Sequence, residues 1–125
     1  MANGFITLEN GQDFVTRWTG YDLILEIAVV ELSNHGYIEL ASWLKTRLPD
    51  GEDKGDAVFW NSAGEMIERS LDLRALTREN RALFWKALTI GNENLFTKGE
   101  LYSTLNPERL HELLQMHDSV QTDMQ

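Results

Sequence analysis

The chain contains no cysteine, only two prolines and no long uninterrupted apolar run. The absence of cysteine excludes disulfides, thiol nucleophiles and thiolate metal sites together, and fits a reducing compartment. The longest apolar-rich stretch, Leu23–Leu32, is interrupted by Glu26 and Glu31 and is too short and too charged to cross a bilayer. Met1–Phe5 has no basic start and no apolar core, so it does not read as a signal peptide, and a cytoplasmic location is expected. Positive charge is also scarce, with 11 Lys and Arg against 20 Asp and Glu, a formal charge of -9. Affinity for nucleic acid comes mainly from Lys and Arg neutralising phosphates, so direct nucleic-acid binding is disfavoured, as is binding to acidic lipid. The densest basic stretch, Arg69 to Lys86, is interleaved with Asp72 and Glu79. Neither a glycine-rich phosphate loop nor a Gly-x-Ser-x-Gly elbow is present.

What the chain does have is a core. Of its 125 residues, 42% are hydrophobic, which an acidic disordered segment would lack. A chain of this length is read as one globular domain, residues 1–125, with residues 119–125 expected to fray. The charge is uneven, since residues 1–60 hold ten acids and four bases.

Residues 3–8 read as a short strand and Asn10–Gly11 as a turn. Phe14, Trp18, Tyr21, Leu25, Ala28 and Leu32 recur at spacings of three and four, which predicts a central helix over 12–34, stopped at Asn34 and Gly36. Asp13 and Arg17 would form an i,i+4 pair on it, and Gly20 would weaken or kink it. Further apolar residues around this helix mark it as the most buried element. Tyr37, Leu40, Ala41, Leu44 and Leu48 form a second stripe, ended by Pro49. Residues 57–60 and 66–73 are read as strands around a turn at Asn61–Gly64; a helix capped by Ser62 is the competing reading. Thr77 caps a third helix, 78–90, with Gly91 as its end and 91–104 irregular. Asn106–Pro107 opens a final helix in which Leu110, Leu113, Leu114 and His117 share a face. The expected class is α+β and α-rich, about four helices with a small β-hairpin; an all-α bundle is the alternative.

No residue set makes a convincing catalytic or metal site, and no cofactor is expected. An EF-hand register from Asp50 puts Lys54 and Asn61 where oxygen ligands, one of them a bidentate glutamate, are required. Glu108 and His111 have a carboxylate-histidine spacing without a second copy, and His35 sits at a helix end. The remaining signals are acidic and aromatic. Asp22 and Glu26 are like charges one turn apart, which either form a docking patch or are neutralised by a base from elsewhere in the fold. Asp50, Glu52, Asp53 and Asp56 lie in a polar loop beside Trp60. Of four tryptophans, Trp18 is expected in the core, while Trp43, Trp60 and Trp85 fit either the rim of the core or an interface.

The expected function is a small non-enzymatic protein that binds and occludes a basic protein partner, as immunity proteins, inhibitors and anti-defence proteins do. Asp22, Glu26, Trp43, Asp50, Glu52, Asp53, Asp56 and Trp60 are its expected contact residues. The alternatives are a small enzyme or ligand-binding domain using carboxylates in a cleft, and a homo-oligomeric structural protein.

Overall fold

The computed structural model describes residues 3–48, 58–61, 64–94 and 107–123. The fold is α+β and helix-rich. In chain order it runs β1 (Asn3–Thr7), β2 (Asp13–Arg17), α1 (Trp18–Asn34), α2 (Ile38–Lys45), β3 (Val58–Trp60), β4 (Met66–Glu68), β5 (Ser70–Asp72), a 3-10 turn (Leu73–Ala75), α3 (Arg78–Asn94) and α4 (Pro107–Asp123). Strands β2, β1 and β5 form a mixed sheet in that order, β1 antiparallel to β2 and parallel to β5. Strands β3 and β4 form a separate antiparallel hairpin around the expected turn, but the expected strand 66–73 is divided: residues 70–72 leave the hairpin to pair with β1, and 73–75 form the 3-10 turn.

The expected helix over 12–34 is divided. Gly11 takes a φ of 88°, and Leu8 N–H and Gln12 C=O close the turn at 2.8 Å. Residues 13–17 then return antiparallel to β1, with Phe5 opposite Val15 and Ile6 opposite Phe14. Phe14 and Thr16 point inward while Asp13, Val15 and Arg17 face out, a period of two rather than 3.6. Asp13 therefore does not pair with Arg17 on a helix; it accepts a 2.6 Å hydrogen bond from the Thr7 hydroxyl across the sheet. The helix begins directly at Trp18, whose side chain lies outside the described residues. Gly20 sits where strand turns into helix, and a Cβ there would collide with Thr16 Oγ1. Its cost to the helix, about 1 kcal/mol relative to Ala, permits this close approach.

Helix α1 is apolar on almost every side. Tyr21, Leu23, Ile24, Leu25, Ile27, Ala28, Val29 and Leu32 are all buried, more than any other described element contributes. Burying one such side chain is worth roughly 1.5–3 kcal/mol, so the helix is stable only when these faces are covered. The sheet, α2, α3 and α4 supply that cover. Its end is a Schellman motif at the predicted stop. Gly36 takes a φ of 85°, its N–H bonds Ser33 C=O at 3.2 Å, and Tyr37 N–H bonds Leu32 C=O at 2.9 Å.

Thr77 caps α3 as expected, its hydroxyl accepting from Asn80 N–H at 3.1 Å. Gly91 does not end that helix, which continues to Asn94. It is instead the point where α3 meets α1: a Cβ at residue 91 would overlap Ile27 Cγ2. Of the segment 91–104 expected to be irregular, residues 91–94 are helical, and residues 95–106, including the Asn106 cap, lie outside the described residues. Helix α4 passes through Ser119 to Asp123, with Val120 buried.

Gly91→Ala tests this packing. Alanine favours an isolated helix by about 1 kcal/mol, yet overpacking a core costs about 1–3 kcal/mol. Since Ile27 belongs to the rigid centre, the variant is expected to have a lower melting temperature; an unchanged or higher value would show that α1 and α3 can move apart freely.

Candidate functional site

Asp22 lies in the first turns of α1 and meets Arg69 at the junction of β4 and β5. Arg69 Nε donates to Asp22 Oδ1 at 3.0 Å and Nη2 to Oδ2 at 3.2 Å. The guanidinium side chain is fully buried and Asp22 is 17% exposed. The backbone at Arg69 is fixed as well, its carbonyl accepting from Phe5 N–H at 3.0 Å. The negative charge of Asp22 is therefore matched inside the fold, the second of the two roles open to it in the sequence. Glu26, one turn along, faces solvent. Protein around its carboxyl, and next the charge of Asp22, hold its pKa above the ordinary glutamate value.

Trp43 and Trp60 occupy different settings. Trp43 is half-buried on α2 and packs on the core, with the Arg47 guanidinium 5.7 Å from its ring centre. Its other side walls an open cleft of about 230 Å³, shared with Glu39, Leu40, Leu76 and Asn80. Trp60 is 59% exposed and stands in register with Met66, itself 58% exposed, across the β3–β4 hairpin. Glu65 and Glu68 beside them are exposed too. Asp50, Glu52, Asp53 and Asp56 lie outside the described residues.

Asn61, which follows Trp60, is buried and organises this hairpin. Its side-chain oxygen accepts from Glu65 N–H at 2.9 Å, its amide donates to Thr46 C=O at 2.8 Å, and its own N–H bonds Glu65 C=O at 2.9 Å. The hairpin turn is thereby tied to the last turn of α2. At the same end of the molecule, the Tyr21 hydroxyl donates to Arg47 C=O at 2.9 Å, and burial pushes the phenol pKa upward so that it stays neutral. These links fasten the hairpin and the start of α1 to the end of α2. Asn61 is visible in the sequence only as a turn residue; that it reaches α2 is a property of the fold.

Two further polar groupings come into view in the fold, the first at i,i+4 spacing on α1. Glu31, 2% exposed, lies 3.9 Å from His35 Nε2 beside a small cavity of about 70 Å³ lined also by Tyr37 and Lys86. His35 itself is the C-cap residue of α1, the helix-end position expected of it. Trp85, a margin residue in the sequence, is buried; its indole N–H donates to Glu9 Oε1 at 2.8 Å and its ring stacks on His117. Among the described residues, no three His, Asp or Glu side chains gather as metal ligands. No described helix is long and apolar enough to cross a membrane.

Asp22→Ala strips a buried guanidinium of its bidentate partner and is expected to cost roughly 3–5 kcal/mol in denaturant unfolding. The double variant Asp22→Leu, Arg69→Met is expected to recover most of that loss; a double variant no more stable than the single one would contradict a purely structural role. Glu26→Gln is expected to be slightly more stable than wild type at pH 7. A raised pKa means that the ionised form is held at a cost, and stability falls as pH rises through it. The gain should disappear near pH 3, where both chains carry a neutral side chain. A gain that persists at pH 3 would assign the effect to something other than charge.

Comparison of the chain with protein-family models, curated proteins and solved structures found no match.

Proposed function

We propose that this is a small, non-enzymatic protein that binds a basic protein partner through an acidic, aromatic-bearing surface and occludes it. The observation that carries the reading is the exposed Trp60–Met66 pair on the β3–β4 hairpin, with Glu65 and Glu68 beside it. Large apolar side chains held out by a pinned hairpin have the character of interface anchors, since rigid aromatic residues bury much area at little entropic cost. Met adds a flexible, polarisable surface that adapts to its neighbour. The acids around them would steer a cationic partner and speed encounter, while burial of Trp60 would slow release.

The chain's net charge of -9 extends that field beyond the hairpin. The acidic run Asp50, Glu52, Asp53 and Asp56, which precedes β3 in the sequence, adds its negative charge to the proposed binding residues. Glu26 contributes a solvent-facing carboxylate on α1. Asp22 acts by holding Arg69 rather than by meeting the partner, and Trp43 presents the wall of its cleft. Immunity proteins, inhibitors and anti-defence proteins illustrate the mode of action: a basic surface is covered and its own ligand excluded.

The test is capture from lysate of the native host with three baits: wild type, Trp60→Ala/Met66→Ala, and an unrelated acidic protein of equal charge. One basic protein retained by wild type alone, and released as salt rises, is the expected result. Both substitutions lie on exposed side chains, so folding should be preserved. Equal retention by all three baits, or binding unaffected by salt, would contradict the reading.

A further inference from the structure

Helix α4 docks through a stripe at spacings of three, four and three: Leu110, Leu113, His117 and Val120. The three apolar members are at most 1% exposed. His117 is the one titratable residue in this seam. Its imidazole lies flat on the Trp85 indole, with ring centres 3.8 Å apart and planes inclined by 15°. Trp85 in turn donates its indole N–H to Glu9 Oε1 at 2.8 Å, so the turn between β1 and β2, α3 and α4 are joined through three side chains. Two polar atoms of this group, His117 Nδ1 and Glu9 Oε2, are buried and have no hydrogen-bond partner among the described residues.

We propose that the His117–Trp85–Glu9 contact is an acid-sensitive latch that fixes α4 to the rest of the domain. Neutral imidazole carries one N–H and can leave Nδ1 as a bare acceptor, a modest cost. Imidazolium carries N–H on both nitrogens and would bury a donor with no acceptor, the costlier state. Burial accordingly lowers the His117 pKa, and it outweighs Glu9 and then Asp118, which both act in the opposite direction. Among the described residues these are the charges that act on the ring. Helix α3 presents the uncharged Trp85, and β2, which also touches α4, turns Asp13 and Arg17 to the outer face of its sheet. Of the acids on α1, the third element against α4, Asp22 is bonded to Arg69, Glu26 faces solvent and Glu31 lies beside His35.

The sign follows from linkage. The unfolded chain takes up a proton near the ordinary histidine value of about 6.5, while the folded chain takes it up only at lower pH. Stability is therefore full above that value and is lost as pH falls from it towards the folded pKa, where the loss levels off. Within this window the unfolding constant rises by up to about tenfold per pH unit. Loosening would act first on α4, because that helix carries the histidine.

The experiment is an NMR titration of the histidine ring protons in the full chain, with His117 assigned by comparison with His117→Phe. Thermal unfolding of both proteins is measured from pH 7.5 to 5. His117 is expected to titrate below 6.5, and Glu9→Gln to lower its pKa further, since Glu9 favours the proton. His117→Phe keeps an aromatic ring against Trp85 and should lose the acid-dependent part of the destabilisation. A His117 pKa at or above 6.5 would overturn the latch, because Glu9 would then be stabilising an ion pair. Equal acid destabilisation in His117→Phe would overturn it as well.

Discussion

A helix with apolar side chains on nearly every face cannot meet water on any of them, and α1 imposes this constraint on the whole molecule. The sheet and the other three helices can be understood by the face of α1 that they cover, and the β3–β4 hairpin is fastened to α2. The β2–β1–β5 sheet lies on one side with Ile6, Phe14 and Leu71 inward; α2 folds back after the Gly36 stop; α3 approaches through Gly91 and Phe84; α4 closes the remainder with Leu110, Leu113 and Val120. The parallel pairing of β1 with β5 follows from the same demand, because the chain wraps α1 and α2 before it returns to the sheet.

Against this apolar frame, polar groups mark where the chain accepts a cost. Asp22 and Arg69, 47 residues apart, hold the start of α1 to the strand junction with two charge-assisted hydrogen bonds. Such a buried pair offers little net stability over apolar residues of the same size but fixes which groups may meet. Asn61 does the neutral equivalent, fastening the hairpin to α2. The result is a rigid platform from which Trp60 and Met66 project. These two stand exposed side by side, as Phe5 and Val15 do across β1 and β2; the hairpin pair is the more exposed of the two and has Glu65 and Glu68 beside it.

Local chemistry was legible in the sequence; encounters between distant residues were not. The Asn10–Gly11 turn, the Gly36 stop and the Thr77 cap each depend on a few neighbouring residues and agree with the structure; of the expected hairpin 57–60/66–73, residues 58–60 and 66–68 form it, while residues 70–72 pair with the distant β1 instead. Strand β2 was mistaken for helix because Phe14 and Trp18 are four apart, and because its second inward residue, Thr16, is polar and hides the alternation. Gly91 looked like a helix stop because its reason for being glycine is Ile27 on another helix. Glu9, Trp85 and His117 form no motif in the chain at all. Of the expected contact residues, Trp60 emerged exposed and Glu26 solvent-facing, while Asp22 proved to be matched by a base whose position no spacing could disclose.

Native-state amide hydrogen exchange tests the central constraint most directly. If the fold is organised around α1, the amides of residues 23–32 exchange only when the whole molecule unfolds, and their protection equals the global stability measured by denaturant. The hairpin carrying Trp60 and the outer strands exchange through smaller openings. Slow exchange in α3 or the sheet together with faster, locally opened exchange across α1 would contradict the account, because the fold would then survive exposure of its most apolar element.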